Sequence, residues 1–154
     1  TRENVKTREM LLKAGVSQVS GGSKTSVGGY DHPEAEDENS EQFDVSDQRT
    51  LDEVVEWLMD NGYVPSFCTA CYREGRTGDR FMSLAKSGQI QNCCHPNALM
   101  TLNEYLDDYA SPSVKEKGKQ IVIEELEKIP NDKIREKAEQ NILSIDEGKR
   151  DFRF

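Results

Sequence analysis

The sequence predicts an α/β fold at its N-terminal end and a mostly helical C-terminal half. A helix, a glycine turn and a short strand follow one another over residues 4–20, and this is the repeating unit of parallel α/β folds. After residue 97 the apolar residues recur at helical spacing instead. With 154 residues, of which 32% are charged, the chain is long enough for one ordinary domain or for parts of two.

The first helix is predicted over "NVKTREMLLKA" (4–14), where Gly15 is a plausible stop. Its proposed inner face consists of Val5, Arg8, Met10, Leu11 and Leu12. "VSQVS" (16–20) then alternates like a strand that ends at a pair of glycines. Because one such unit cannot form a domain and the chain starts with Thr1, we expect a C-terminal fragment of a longer protein.

An acidic run separates this unit from the next helix. The stretch "GGSKTSVGGY" (21–30) lacks the Walker spacing, so it is either a flexible turn or a loop facing a ligand. Residues 31–47 are strongly acidic and are predicted to form a solvated connection. Thr50 and Glu53 then match a capping box before the helix in "LDEVVEWLMDNG", which Asn61-Gly62 closes.

Three helices are predicted in the C-terminal half. The first covers residues 97–110, and a capping box of Ser113 and Glu116 precedes a second, which extends to Ile129. After a proline, "NDKIREKAEQNILSI" gives the last helix. The final residues "GKRDFRF" carry two phenylalanines that could dock on the domain, but the sequence does not say where.

Charge and hydropathy exclude several classes of partner. The net charge is −9 and the 20 Lys and Arg residues are scattered, which argues against nucleic-acid binding. No apolar run approaches the length of roughly 20 residues that spans a bilayer, so we expect no membrane partner. Four cysteines without an export signal favour the reducing cytoplasm.

The cysteines are the strongest chemical signal in the chain. Cys68 and Cys71 form a CxxC pair, and the doublet Cys93-Cys94 is followed by His95. Thiolates in this spacing suit zinc or an iron–sulfur cluster. Adjacent residues rarely both face one ion, so the pattern supplies three comfortable thiolate ligands. A cluster with one open iron, a zinc site completed by the histidine, and a redox or structural role all stay open.

Arginines surround the CxxC pair. Arg73, Arg76 and Arg80, with Gly75 and Gly78, would bring positive charge and N–H groups close to an anionic thiolate centre. Hydrogen bonds of this kind tune metal clusters and help to hold anions. The alternative is that the segment is a solvated turn.

The segment "SFCTACYREGRTGDRFMSLAKSGQIQNCCHPNALMTLNEYLDDYA" resembles the C-terminal domain of the radical-SAM tyrosine lyases that mature [FeFe]-hydrogenase, the HydG-type 2-iminoacetate synthases. The auxiliary-cluster motif of that family, Cys-x2-Cys-x22-Cys, matches Cys68, Cys71 and Cys94. Residues 1–30 and "EQFDVSDQRTLDEV" also resemble a pattern shared with the thiamine-pathway tyrosine lyase, which looks to lack the auxiliary motif.

The resemblance implies a fold and a function. It implies the end of a (β/α)8 barrel of the TIM type in residues 1–64, and a mostly helical auxiliary-cluster domain in residues 65–154. It implies a carbon–carbon lyase that cleaves tyrosine to p-cresol and dehydroglycine. The auxiliary [4Fe-4S] cluster, with an additional iron, would then serve to form CO and cyanide for assembly of the hydrogenase H-cluster.

The resemblance also implies ligands and partners. Arg2 resembles the arginine that binds the substrate carboxylate, and Ser20 resembles a hydroxyl of the substrate pocket. The Cys-x3-Cys-x2-Cys loop of the radical-generating cluster is absent, so S-adenosylmethionine and a second cluster would bind in a missing part of the barrel. The expected partners are tyrosine, S-adenosylmethionine, free cysteine, iron and hydrogenase maturation proteins. The alternative function is a non-enzymatic zinc module that uses Cys68, Cys71, Cys94 and His95.

Overall fold

A computed structural model describes residues 3–25, 29–31 and 45–154. Within these ranges the regular structure is entirely helical. The helices are α1 (Val5–Lys13), α2 (Leu51–Asp60), α3 (Ala70–Arg73), α4 (Gly78–Lys86), α5 (Gln91–Asp108), α6 (Pro112–Leu126) and α7 (Asp132–Asp146). No helix in the described ranges combines the length and the apolar character needed to cross a membrane.

The predicted α/β fold, the end of a (β/α)8 barrel, is wrong for this chain. The described residues contain no strand and no sheet, and residues 16–20, expected to be a strand, are not one. The backbone shows why, since a strand needs a neighbouring strand to take its N–H and C=O groups. Here both ends of the segment bond to α1: the Val16 N–H donates to the Leu11 carbonyl at 3.0 Å, and Arg8 donates to the Ser20 carbonyl.

The chain divides into two compact units, Thr1–Val55 and Glu56–Phe154, and the division falls within α2. The expected boundary between residues 64 and 65 stays a prediction. In the first unit, the Asn4 side chain caps α1 by accepting from the Thr7 N–H at 3.0 Å. The helix ends at Lys13 with Ala14 as C-cap, and Gly15 follows with a φ of 98°, which favours glycine. The helix predicted over residues 4–14 is therefore confirmed.

A buried ionic network holds the first unit together. Arg8 lies on α1, and its guanidinium donates to the Asp47 carboxylate and to the Ser20 carbonyl. Arg49 also donates to Asp47, from Nε at 2.8 Å and from Nη2 at 2.6 Å. The Arg8 and Asp47 side chains are each only 2% exposed. The sequence placed Asp47 in a solvated connection, and at this position that expectation is wrong, because two arginines compensate a buried carboxylate.

The second unit is built around α5, which packs between α6 and α7. Its inner face is fully buried at Leu99, Met100, Leu102 and Leu106. The partner helices contribute apolar side chains that are likewise buried: Val114, Val122, Ala138, Ile142 and Ile145. The three long helices therefore form the core of the second unit, and the cysteine-bearing segments are attached to this core.

Several helix boundaries follow the predicted signals and others do not. The capping box at the start of α2 is confirmed: the Thr50 N–H donates to Glu53 Oε2 at 2.7 Å, and the Glu53 N–H donates to Thr50 Oγ1 at 3.3 Å. The capping box predicted at Ser113 is wrong, because α6 begins two residues earlier, with Ser111 as N-cap and Pro112 in the first turn. Proline suits that position, since its missing N–H would have no helical partner there.

We predict that the Asp47 carboxylate stabilises the first unit in an acid-dependent way. The hydrogen bond from Arg49, with the charge of Arg8, lowers the pKa of Asp47 from 3.8 to about 2. A lowered pKa stabilises the fold above the unfolded value, and the contribution, about 2 kcal/mol, is lost as the pH falls from about 4 towards about 2. Urea denaturation followed by circular dichroism should show this slope in the wild type and a flatter one in Asp47→Asn.

The control for this prediction is Asp132→Asn, which removes a carboxylate that is 77% exposed. If Asp132→Asn flattened the acid slope as much as Asp47→Asn, the network would not be its source.

A second prediction concerns the close contact of α6 with α5. A Cβ on Gly118 would lie 2.5 Å from Leu106 Cδ2, and Leu106 has no exposed surface into which it could move. Gly118→Val should therefore lower the free energy of unfolding by about 1–3 kcal/mol, because the core has no room for the added carbons. Urea denaturation measures the change. Glu116→Val, at an exposed position of α6, is the control, and an equal loss there would contradict the packing argument.

Candidate functional site

The first pair of cysteines lies on a short segment that is anchored to α5. The Phe67 N–H donates to Thr101 Oγ1 at 3.2 Å, and the Phe67 ring stacks on Tyr105 with 4.9 Å between ring centroids. Cys68 follows, and its Sγ accepts the Ala70 N–H at 3.4 Å, at the start of α3. Cys71 lies within α3. The first thiols are therefore placed by aromatic packing and by one turn of helix.

The turn after α3 brings Arg76 back towards the cysteines. The Arg76 N–H donates to the Cys71 carbonyl at 2.8 Å. Gly75, with a φ of 60°, takes the left-handed conformation that this reversal requires. The glycine in the predicted arginine-rich loop is thus a local requirement of the fold.

The second pair of cysteines lies in the first turns of α5. The N–H groups of Cys93 and Cys94 donate to the Ile90 carbonyl at 3.1 Å and 2.7 Å, so both residues are fixed by helical hydrogen bonds. Pro96, which is buried, follows within the helix. Proline has no N–H to donate, so it withholds one hydrogen bond from this turn. The helix starts six residues before the predicted position 97, and this places the doublet on α5.

The Cys94 thiol lies within electrostatic reach of the other three thiols. All four cysteines are free. Although Cys94 is partly exposed, partial burial of its thiol raises its pKa, and the thiols of Cys71, Cys68 and Cys93 raise it further. Within the described residues, however, no group of three or more His, Cys, Asp or Glu side chains is gathered tightly enough for a single metal ion.

Arg76 is the arginine that reaches the cysteines. Its Nη1 lies 3.7 Å from Cys93 Sγ, and its Nη2 donates to the Phe154 carbonyl at 2.8 Å. Its Nε is buried and finds no hydrogen-bond partner among the residues that the structure describes. A buried N–H without an acceptor is costly, so an acceptor beside the thiols would be favourable at this point.

The other two arginines of the predicted set lie elsewhere. Arg73 forms a bidentate pair with Asp151, with Nη2 at 2.9 Å from Oδ2. Arg80 Nη1 donates to the Glu74 carbonyl at 3.3 Å. Both side chains are exposed, and their role around a metal group stays a prediction.

His95 faces α6. Its Nε2 lies 3.1 Å from Glu125 Oε2, an ion-pair distance without hydrogen-bond geometry. The zinc alternative needs this imidazole together with three thiolates around one ion. The side chain instead points a ring nitrogen at a carboxylate, and no compact group for one ion is present in the described ranges.

Of the two residues predicted to bind substrate, the structure describes only Ser20. Ser20 is exposed, and its carbonyl accepts a hydrogen bond from the buried Arg8. Arg2 lies outside the described residues. Both assignments stay predictions.

A cluster makes different demands on its thiolate ligands than a single zinc ion does. The irons of a cubane cluster are separate atoms, so its thiolate ligands stand farther apart than the ligands of one ion. The Cys94 thiol interacts electrostatically with the other three thiols, and the buried Arg76 Nε–H lacks an acceptor among the described residues. That these thiols hold a cluster stays a prediction. The cluster also carries sulfides, to which protein N–H groups donate hydrogen bonds.

The sequence did not reveal three residues that frame the site from α5. Asn97, Glu104 and Asp108 each contact the C-terminal residues, which in turn contact the cysteine segment. The alternating basic, acidic and aromatic residues of "GKRDFRF" were the available signal. Their partners could not be found from a local pattern, because the contacts join positions up to 79 residues apart.

Comparisons with known proteins agree with the helical structure. Residues 1–64 match the family model of the Biotin and Thiamin Synthesis associated domain. A crystal structure of HydG, described as a maturase of the [FeFe]-hydrogenase, is 48% identical to this chain with a TM-score of 0.89. The match covers 100% of this chain and 33% of that one, so the chain spans about a third of the length of this relative. Among curated proteins no match was found.

Proposed function

We propose that this chain, whose resemblance to the HydG-type maturases of [FeFe]-hydrogenase is confirmed, is the part of such a maturase that holds an auxiliary iron–sulfur cluster. The main observation in favour is that the Cys94 thiol interacts electrostatically with the other three thiols, while the partly buried Arg76 guanidinium lies 3.7 Å from Cys93 Sγ. Residues 65–154 would form the auxiliary-cluster domain, within which all these groups lie.

Three cysteines would hold the cluster. Cys68 and Cys71 flank the start of α3, and Cys94 lies one helical residue beyond Cys93 on α5. The spacing Cys-x2-Cys-x22-Cys favours Cys94 over Cys93 as the third ligand. Cys93 Sγ is instead the neighbour of Arg76 Nη1, so the two members of the doublet would have different tasks.

The roles of the remaining groups follow from their contacts. A bound [4Fe-4S] cluster with three protein thiolates supplies an iron whose fourth position is open to an additional iron or another outside ligand. Arg76 would donate its buried Nε–H towards the sulfides and would offset part of the negative charge of the thiolates.

The activity of the longer protein is proposed from the resemblance. It would be a radical-SAM lyase that cleaves tyrosine to p-cresol and dehydroglycine and forms CO and cyanide for the hydrogenase H-cluster. S-adenosylmethionine and the radical-generating cluster would bind outside this chain. Its other partners would be free cysteine, iron and further hydrogenase maturation proteins, in the cytoplasm.

Arg2 and Ser20 are proposed to bind substrate. A bidentate contact between the Arg2 guanidinium and the carboxylate of tyrosine would orient the amino acid. The Arg8 guanidinium holds the Ser20 backbone to α1 and would thereby fix the position of the serine hydroxyl.

Anaerobic reconstitution with iron and sulfide tests the proposal. We expect a brown protein that contains about four irons and four sulfides per chain. A colourless protein that binds one zinc ion per chain would instead favour the zinc module formed by Cys68, Cys71, Cys94 and His95. Iron, sulfide and zinc are all measured on the same sample.

Single substitutions distinguish the ligands from the remaining cysteine. Cys68→Ala should abolish cluster binding, because two thiolates are too few to hold a cubane cluster firmly. Cys93→Ala should leave the iron content nearly unchanged and serves as the matched control. Iron bound by Cys68→Ala but lost from Cys93→Ala would show that the wrong member of the doublet was assigned.

A further inference from the structure

Residues 150–154, which we call the strap, lie along one face of α5. The Arg150 guanidinium forms a bidentate pair with Asp108, at 2.9 Å and 2.6 Å. The Asp151 N–H donates to Glu104 Oε1 at 2.9 Å. The Phe154 N–H donates to Asn97 Oδ1 at 2.9 Å.

The spacing of these contacts shows that the strap is antiparallel to α5. Positions 97, 104 and 108 share one face of a helix, because they are separated by seven and by four residues. Residue 150, at the start of the strap, contacts residue 108 of α5, and residue 154, at its end, contacts residue 97. Eleven residues of helix and four of extended chain both span roughly 15 Å, so the two run in register.

The other edge of the strap contacts the segment that carries the first cysteines. Asp151 pairs with Arg73, Arg153 Nε donates to Glu74 Oε1 at 2.8 Å, and the Phe154 carbonyl accepts from Arg76 Nη2 at 2.8 Å. All three of these contacts therefore involve a residue between 73 and 76. The strap joins this segment to α5, and a cavity of about 110 Å³, lined by Cys68, lies between them.

Asn97 is the buried end of this arrangement. It is 2% exposed, whereas the side chains of the ion pairs Arg73–Asp151 and Glu74–Arg153 are 35–58% exposed. Exposed ion pairs contribute little, while a buried amide that loses its partner is costly. The strongest connection is thus from Asn97 through the Phe154 backbone to Arg76, whose guanidinium reaches Cys93 Sγ at 3.7 Å.

The backbone of the strap is constrained at Asp151. Its φ of 71° is the left-handed conformation, which is uncommon for residues other than glycine. Such a conformation persists where surrounding contacts determine it. Here the Asp151 N–H and its carboxylate are both bound, one by α5 and the other by Arg73.

We infer that the strap is a positioning device, in which Asn97 fixes the Phe154 backbone and thereby holds Arg76 and residues 69–77 in place to receive the metal group. The metal-binding part of this inference rests on the proposed function. The mechanical part does not, because every contact that it uses is made by the chain alone.

Hydrogen exchange on the metal-free 154-residue chain tests the mechanical part. In Asn97→Ala the amides of residues 69–77 should exchange about 3- to 10-fold faster than in the wild type, the effect of losing one ordinary hydrogen bond. Deletion of residues 151–154 should reproduce the effect of Asn97→Ala without altering α5.

The matched control is Asn141→Ala. Asn141 is 5% exposed and lies on α7, where its amide faces Met100 Sδ at 3.4 Å, so its loss disturbs the same core without touching the strap. Faster exchange of residues 69–77 in this variant, equal to that in Asn97→Ala, would overturn the inference. Unchanged exchange in both Asn97→Ala and the deletion would overturn it as well.

Iron loading separates this inference from the proposed function. In anaerobic reconstitution, Asn97→Ala should take up iron about 3- to 10-fold more slowly than the wild type, since its cysteine segment must be ordered first. Equal loading rates, together with altered exchange, would overturn the metal-binding part. A wild type that binds no iron would refute the proposed function, while the exchange result would still decide whether the strap holds the segment.

Discussion

The packing of α5 between α6 and α7 is the contact on which the rest of the second unit depends. One face of α5 carries fully buried leucines, and Gly118 lets the backbone of α6 approach Leu106 closely. A second face binds residues 150–154, and the first turns carry Cys93 and Cys94. A displacement of this one helix would therefore move half of the thiols and the anchor of the strap together.

The cysteine-bearing segment has little core of its own. Helix α4 buries no residue and α3 buries only Ala70, so neither could hold its position by apolar burial. The segment is attached instead by polar contacts and by the stacking of Phe67 on Tyr105. A region held in this way opens more easily than a packed core. Such a segment would suit the proposed cluster site, which would have to admit iron and sulfide after the polypeptide has folded.

The sequence correctly predicted those features of the fold that depend only on residues close together in the sequence. The helix stop at Gly15 and the capping box at Thr50 are set within a single turn and were found. The strand at residues 16–20 was wrong, because strand formation depends on a pairing partner that a local pattern cannot show. The same limit applies to the candidate site: the CxxC spacing draws attention to the cysteines, whose role as ligands stays a prediction, whereas the contact of Arg76 with Phe154 joins residues 78 positions apart.

The separation between the strap and the cysteines has a consequence for biosynthesis. A ribosome delivers Cys68 and Cys71 more than seventy residues before the residues that clasp Arg73, Glu74 and Arg76. The thiols of the nascent chain therefore leave the exit tunnel before the strap can contact their segment. Contacts between residues so far apart in sequence form late in folding. Until residues 150–154 have also emerged, oxidants or stray metal ions can reach the thiols before these contacts hold their segment, so the proposed cluster would best be inserted after that stage.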